Sequence, residues 1–256
     1  MIDSKNLAKM FLAVSKDDLE ASKLIYRNSS LYAQSIFLLQ QSVEKALKAA
    51  LIYSRVAPEK EEELDSWLRT IVSHYVITNM SKIVNKLITS SYLKIGTIEK
   101  PLFQLLIKLL ESTANEYSKE VKKFEKLDVV KYENVEKMVI WIIKSSDNST
   151  LEQKFSEIFI KIPQLIKEKI PIHLINFIKE MIIQLVRLSI MSLIFEKFES
   201  ISRYPDIRNP SLGPNLFTKE YPLIRKLDDL QNIVQESIDR LHMLVDLTLF
   251  TNPKEV

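Results

Sequence analysis

A stripe of polar side chains on one predicted helix is the first place in this sequence where chemistry could occur. Gln41, Glu44, Lys45 and Lys48 fall at i, i+3, i+4 and i+7 of the segment 35–51, so they share one helix face. One interpretation is a solvated face, where a Glu44–Lys48 ion pair contributes roughly a few tenths of a kcal/mol. The other is a contact surface for phosphate or RNA, where the two lysines bind phosphates.

The remaining residues of this segment predict a helix that packs against others. Apolar side chains recur there at helical spacing and mark a core face. They are Ile36, Leu39, Val43, Ala46, Leu47, Ala50 and Leu51. Ala46, Ala49 and Ala50 are small enough to let a second helix approach closely. We therefore expect the rest of the chain to pack around this helix.

Composition excludes several kinds of nucleotide site. The chain has 256 residues, 46% of them hydrophobic, which is enough for one large domain or two small ones. Its only glycines are Gly96 and Gly213, and it contains neither a G-x-G-x-x-G sequence nor a P-loop. Any nucleotide would have to be bound by side chains or helix amino ends. The net charge of +3 is too small to argue for nucleic-acid binding alone.

Metal and thiol chemistry are not indicated. Cysteine is absent, so the chain has no disulfide, thiolate nucleophile or cysteine-ligated zinc. His74, His173 and His242 lie far apart and lack the spacing of metal ligands. We predict no metal site and no cofactor.

The sequence favours a soluble, cytoplasmic protein without a membrane segment. Residues 1–11 lack the apolar core of a signal peptide. The most apolar run is Met181–Phe195, but Gln184 and Arg187 interrupt it and it is too short to span a bilayer. We predict that this run is a buried helix or a helix-pairing surface.

Helical periodicity extends along the chain, and no stretch is typical of a strand, which predicts an all-α fold. The predicted helices are about 4–27, 31–55, 59–90, 101–126, 134–144, 149–161, 172–200 and 218–250. Ser149 and Glu152 have capping-box spacing, and Thr218 is the predicted N-cap of the last helix, early in which Pro222 is tolerated. Residues 203–216 contain three of the nine prolines and are predicted to be irregular.

The residues of the second helix resemble a known family. Residues 32–37 read YAQSIF and residues 40–49 read QQSVEKALKA, which closely resembles the second helix of HEPN domains (higher eukaryote and prokaryote nucleotide-binding). Ser73-His74 resembles the start of the family's third helix, and Arg203-Tyr204-Pro205-Asp206 resembles the R-Y-P-D element before its last helix. The resemblance covers about residues 4–90 and 180–250.

This resemblance implies an up-and-down helical bundle of HEPN type that usually dimerises. Residues 1–91 and 176–256 would form the bundle, and 92–175 would be a helical insertion. Family members bind nucleotides, act as metal-independent endoribonucleases in toxin–antitoxin or defence systems, or partner a minimal nucleotidyltransferase. The resemblance therefore implies a homodimer, with a nucleotide, RNA or a nucleotidyltransferase protein as partner.

The ribonuclease members carry an R-x4-6-H motif, which Arg69 and His74 satisfy. On that resemblance, His74 would act as general base or acid on a ribose 2′-hydroxyl, and Arg69 would stabilise the phosphorane-like charge. Five positions along a helix correspond to about 140° of rotation, so the two side chains would meet one substrate only if a second protomer closes the site or if Arg69 curls back along the groove. The alternative is a structural His74, hydrogen-bonded in a polar core or cap.

Arg203 and Tyr204 also have two interpretations. Pro205 disfavours a helical conformation at Tyr204, so the segment is either a rigid corner or a ligand contact. In the second case, Tyr204 and Arg203 would lie over a base and a phosphate near the 35–51 segment.

Three functions remain open from the sequence. The first is nucleotide or RNA binding, with ribonuclease activity undecided. The second is a non-catalytic module that docks a partner such as a nucleotidyltransferase subunit, through residues 92–175 or 181–195. The third is a helical scaffold without a ligand. We take nucleotide or RNA binding as the best statement.

Overall fold

The computed structural model describes residues 3–54, 57–58, 60–70, 116, 119, 122–124, 128–160, 172–204 and 212–247. Within these ranges the regular elements are helices, as the sequence predicts. They are α1 (Ser4–Asn28), α2 (Tyr32–Tyr53), α3 (Glu61–Thr70), α4 (Tyr132–Ser146), α5 (Asn148–Ile160), α6 (Ile172–Arg203), α7 (Pro222–Arg225) and α8 (Leu227–Asp246). A 3-10 turn, Pro214–Leu216, comes later in the chain than α6.

Helices α1 and α2 form a closely packed antiparallel pair. Buried serines meet across the contact: the Ser15 hydroxyl donates to the Ser42 carbonyl at 2.8 Å, and the Ser22 hydroxyl donates to the Ser35 carbonyl at 2.7 Å. Along this contact the residue numbers of α2 decrease as those of α1 increase, so the two helices run antiparallel. Small side chains permit this approach, and each hydrogen bond satisfies a group that burial would otherwise leave unpaired.

Helix α6 passes through the interior and is covered by α2, α4 and α8. All residues from Met181 to Met191 are buried, which confirms the prediction of a buried helix for the 181–195 run. None of the helices in the described ranges combines the length with the apolar character that a bilayer crossing requires.

Gln184 and Arg187, in the buried part of α6, belong to a charged network with α8 and with Glu152 of α5. Arg187 is 1% exposed, and its Nη2 donates to Glu236 Oε2 at 2.5 Å. Arg240 on α8 contacts Glu236 at 3.3 Å and Glu180 at 3.0 Å. Gln184 donates to the same Glu180 at 2.8 Å. The network explains how an arginine is accommodated among apolar helices.

The start of the last helix differs from the prediction. Tyr221, not Thr218, is the N-cap, Pro222 opens the short helix α7, and a break at Lys226 separates α7 from α8. The first N–H groups of a helix have no acceptor within the helix, so a proline, which has no N–H, is well tolerated at the first position. Pro222 therefore starts the helix and does not lie inside it. Buried aromatic packing fixes this corner, with Tyr221 donating its hydroxyl to the Val129 carbonyl at 2.8 Å.

The cap of α5 is also shifted by two residues. Asp147, not Ser149, precedes the helix and accepts the Thr150 N–H at 3.1 Å. Its carboxylate also accepts the Ser149 hydroxyl, and these hydrogen bonds, that from Ser149 foremost, lower the pKa of Asp147. A carboxylate at the positive end of a helix is favoured over a neutral hydroxyl.

The division into a bundle (1–91 and 176–256) and an insertion (92–175) stays a prediction. Its first boundary lies outside the described residues, and its second lies in the first turn of α6. Within the described part of the 92–175 segment, Val135, Met138 and Val139 of α4 are buried in the same apolar core as α2 and α6.

Candidate functional site

Helix α2 has one accessible face. Its accessible positions are Tyr32, Gln34, Phe37, Leu38, Gln41, Glu44, Lys45 and Lys48, and every other residue from Tyr32 to Tyr53 is buried. At about 100° per residue, the accessible positions from Gln34 to Lys48 lie within about 120° of arc, so they line a single strip. The strip is about 21 Å long at 1.5 Å per residue. The predicted polar stripe is therefore accessible and continues towards the amino end of the helix.

The two lysines of this strip are already paired with carboxylates. Lys45 Nζ lies 2.6 Å from Asp18 Oδ2 of α1 and 3.3 Å from the Gln41 side-chain oxygen. Lys48 Nζ lies 2.5 Å from Glu44 Oε1. The strip therefore carries both signs of charge in balance, and a phosphate would have to compete with Asp18 and Glu44 for these lysines.

A groove opens at the amino end of the strip, and we call it the Arg203 groove. It has a volume of about 430 Å³. One wall consists of residues 30–34 and Phe37, and the other consists of residues 202–204, 214–215 and Phe217. Segments far apart in the sequence thus meet here, because α6 packs along α2 and the 3-10 turn folds back against it.

Arg203 lies over two aromatic rings at this groove. Its guanidinium carbon is 5.3 Å from the centre of the Phe37 ring and 5.5 Å from that of the Tyr204 ring. Its Nη2 donates to Glu199 Oε1 at 2.9 Å, one helical turn earlier on α6. Phe37 is partly buried, whereas Tyr204 is 64% exposed. The arginine therefore has three partners, while much of the tyrosine side chain remains accessible to solvent.

The amino end of α2 also opens on the groove. Leu31 occupies the N-cap position, and no side chain caps the helix there. The first-turn N–H groups and the positive end of the helix dipole therefore lie at the groove wall formed by residues 30–34. Such an end is favourable for an anionic group.

The structure brings together some of the predicted site residues. Arg203 and Tyr204 meet α2 at the groove, and Gln41, Lys45 and the other stripe residues lie further along the same face. The backbone of Arg69 is part of α3, but its side chain is not described. His74 lies entirely outside the described residues. In the part of the chain that the structure describes, no three histidine, aspartate or glutamate side chains lie close enough together to hold a metal ion.

The sequence pattern does not single out three residues that the groove uses. Phe37 was indicated only as part of the YAQSIF resemblance, although it lies four residues before Gln41 on the same face. Gln34 belongs to the same YAQSIF segment, Asn215 belongs to no motif, and only the fold brings the two together.

Comparison with known families gives a match over about half of the chain. The family model described as HEPN domain matches residues 8–132. The chain contains a HEPN domain. The match confirms the resemblance drawn from residues 32–49 and agrees with the all-α fold, and it supports a nucleotide- or RNA-related function in general. Comparison with curated proteins and with solved structures gives no match.

The matched HEPN segment contains most of α1, all of α2 and α3, and both Arg69 and His74. Arg203 and Tyr204 lie outside it, so the R-Y-P-D resemblance stays a prediction. The Arg203 groove is therefore a place where the HEPN segment meets a later part of the chain.

Proposed function

We propose that this HEPN protein binds a nucleotide, either free or as part of single-stranded RNA, in the Arg203 groove. The observation that carries the proposal is the Arg203 guanidinium over the rings of Phe37 and Tyr204, in the groove onto which the amino end of α2 opens without a side-chain cap. A nucleotide needs an apolar plane for its base and a positive site for its phosphate, and the groove supplies both.

The base would stack on the exposed Tyr204 ring. Aromatic side chains and guanidinium planes bind unpaired bases by stacking, which contributes about 1–3 kcal/mol per base. Two contacts hold Arg203 in place for this purpose. The Phe37 ring packs against its guanidinium, and Glu199 accepts a hydrogen bond from its Nη2. A groove of about 430 Å³ lies within the range of small-ligand sites.

The phosphate would lie at the amino end of α2. The helix dipole and the first-turn N–H groups, which the N-cap side chain does not cap, favour an anion there, and Arg203 adds a cation on the opposite wall. Further along the strip, Lys45 and Lys48 could hold flanking phosphates only by exchanging their carboxylate partners.

The balance of charge favours a single strand over a duplex. Duplex binding depends on many unpaired cations that neutralise phosphates. Here Lys45, Lys48 and Arg203 each have a carboxylate within 3.0 Å or less, and the chain's net charge is only +3. Stacking in a groove is therefore the stronger contribution, and it requires an unpaired base.

The proposal also includes metal-independent ribonuclease activity. Arg69 and His74 are the only residues that we propose for this activity. The HEPN match includes both residues, and the family resemblance implies that they act together across a seam between two copies of the chain. The same resemblance is the support for a toxin–antitoxin or defence role.

The test is fluorescence anisotropy with a short, labelled single-stranded RNA and the full-length chain. Tyr204→Ala should weaken binding about 5- to 150-fold, which corresponds to the loss of one stacked base. Arg203→Gln should also weaken binding, because the groove loses its cation. Circular dichroism would verify that both variants remain folded.

Two matched controls distinguish the groove from general effects. Met243→Ala removes another exposed apolar side chain, 61% exposed, and Lys226→Gln removes another cation that is paired along its helix, with Asp229 at 3.1 Å. Both should bind RNA as the unchanged protein does. Unchanged affinity in Tyr204→Ala and Arg203→Gln would refute the proposal.

A further inference from the structure

Buried polar atoms without protein partners occur where α5 and α8 pack against α6. Two of them are the Nε and Nη1 atoms of Arg187, whose side chain is only 2% exposed. Two more are the side-chain oxygens of Gln184 and Asn148. None of these four atoms has a hydrogen-bond partner among the described residues, and each is shielded from bulk solvent. Leaving a buried polar group unpaired costs about 1–3 kcal/mol, so a ligand that pairs with these atoms would be bound favourably.

The two amides are held by one set of charged side chains. Gln184 donates its amide N–H to Glu180 at 2.8 Å, and Asn148 donates its amide N–H to Glu152 at 2.7 Å. Arg240 Nη1 lies 3.0 Å from the same Glu180 oxygen and 3.7 Å from the same Glu152 oxygen. Because each amide nitrogen is used by a glutamate, each amide oxygen is left as an unpaired acceptor.

Arg187 belongs to the same network through Glu236. Its Nη2 lies 2.5 Å from Glu236 Oε2, and the other Glu236 oxygen accepts from Arg240 Nε at 3.3 Å. Asp147, the residue before Asn148, also interacts electrostatically with Arg187. The unpaired donors and the unpaired acceptors therefore lie in one corner of the interior, which we call the Arg187 corner.

The chemistry of these atoms calls for a small neutral molecule that both donates and accepts. An anion would pair with the arginine donors but would leave the amide oxygens unpaired, and it would meet three carboxylates, those of Glu152, Glu180 and Glu236. A cation would pair with the amide oxygens but would leave the arginine donors unpaired. Water pairs with both kinds of atom, and a buried water typically makes about three hydrogen bonds to otherwise unpaired polar groups.

We infer that the Arg187 corner is a binding site for ordered internal water, which joins the Arg187 guanidinium to the amide oxygens of Gln184 and Asn148. The bound water links α5, which lies in the 92–175 segment, to α6. This inference concerns the interior of the fold and does not depend on nucleotide binding in the Arg203 groove.

The test is magnetic relaxation dispersion of the solvent in a solution of the full-length chain, which counts the water molecules that stay inside the protein for longer than it takes to tumble. Arg187→Met removes the two unpaired donors and should lower this count by at least one. Lys226→Met is the matched control, because it removes a cation from the Lys226–Asp229 pair, whose side chains are 49% and 48% exposed, and it should leave the count unchanged. Circular dichroism would verify that both variants remain folded.

A second measurement needs no variant. In the unchanged, nitrogen-labelled chain, the Nε–H of Arg187 should show a rotating-frame Overhauser cross-peak to water. A cross-peak of opposite sign to the diagonal reports a water molecule in contact with this N–H, because proton exchange gives the same sign as the diagonal. An unchanged water count in a folded Arg187→Met, or the lack of this cross-peak in the unchanged chain, would overturn the inference.

Discussion

The buried ion pair between Arg187 and Glu236 predicts an asymmetric response to mutation. Arg187 is 1% exposed, and its Nε and Nη1 atoms have no hydrogen-bond partner among the described residues. Glu236 is the carboxylate in direct contact with this charge, at 2.5 Å from Nη2, and Asp147 of the α5 cap interacts with it more weakly. Glu236→Gln keeps the side-chain size and removes that compensation.

The magnitude follows from the burial of the two partners. Leaving a buried charge unpaired costs about 3–5 kcal/mol. The Glu236 side chain is 42% exposed, so water can approach that end of the pair, and we expect a loss of about 2–3 kcal/mol for Glu236→Gln. Arg187→Met removes the buried charge itself and leaves Glu236 with Arg240 at 3.3 Å, so we expect a change below about 1 kcal/mol.

Urea unfolding followed by circular dichroism measures both changes, provided that the slope with denaturant stays constant. Asp229→Asn is the matched control, because it breaks the Lys226–Asp229 pair, whose side chains are 49% and 48% exposed. We expect less than about 0.5 kcal/mol there. If Arg187→Met proves more destabilising than Glu236→Gln, the reasoning about the buried charge is refuted.

Three other predictions concern pH, charge and catalysis. Burial raises the pKa of Tyr53 to about 12. The neutral phenol therefore contributes folding stability below pH 10, and this stability is lost as the pH rises towards 12. Tyr53→Phe should make the fall of Tm at alkaline pH less steep. Asp18→Asn removes the ion-pair partner of Lys45 and should therefore raise the affinity for single-stranded RNA. In a plot of the logarithm of the binding constant against the logarithm of the salt concentration, the slope should become steeper by roughly 0.7. Arg69→Ala and His74→Ala should each abolish RNA cleavage in excess EDTA.

Each of these has its own check. An unchanged alkaline transition in the phenylalanine variant would show that the tyrosine is not responsible for the loss. Asp17→Asn is the charge control for Asp18→Asn, since Asp17 is exposed on the same helix, and an equal gain in both variants would exclude a specific release of Lys45. Cleavage that survives both the arginine and the histidine changes would remove catalysis by that pair.

The sequence was sufficient for features that depend on local spacing. The helical period placed Gln41, Glu44, Lys45 and Lys48 on one face, and α2 shows that face to be its accessible one. The same period identified the buried run in α6. Local spacing carries this information because helix geometry fixes which side chains share a face.

Features that depend on distant partners could not be predicted. Arg187 interrupts an apolar run in the sequence, and only the approach of Glu236 from α8 explains its burial. Phe37 and Arg203 meet because α6 packs along α2, which no local pattern states. The position of the helix start at Tyr221 likewise depends on aromatic packing with Phe198 and Phe217 from earlier segments.

The most direct test of nucleotide binding in the Arg203 groove is ultraviolet cross-linking of the full-length chain to a short single-stranded RNA. Trypsin digestion and mass spectrometry would then locate the cross-linked residues. The predicted cross-links lie in the tryptic peptides 28–45, which contains Phe37, and 204–208, which begins with Tyr204. Cross-links confined to other peptides would contradict the groove as the binding site.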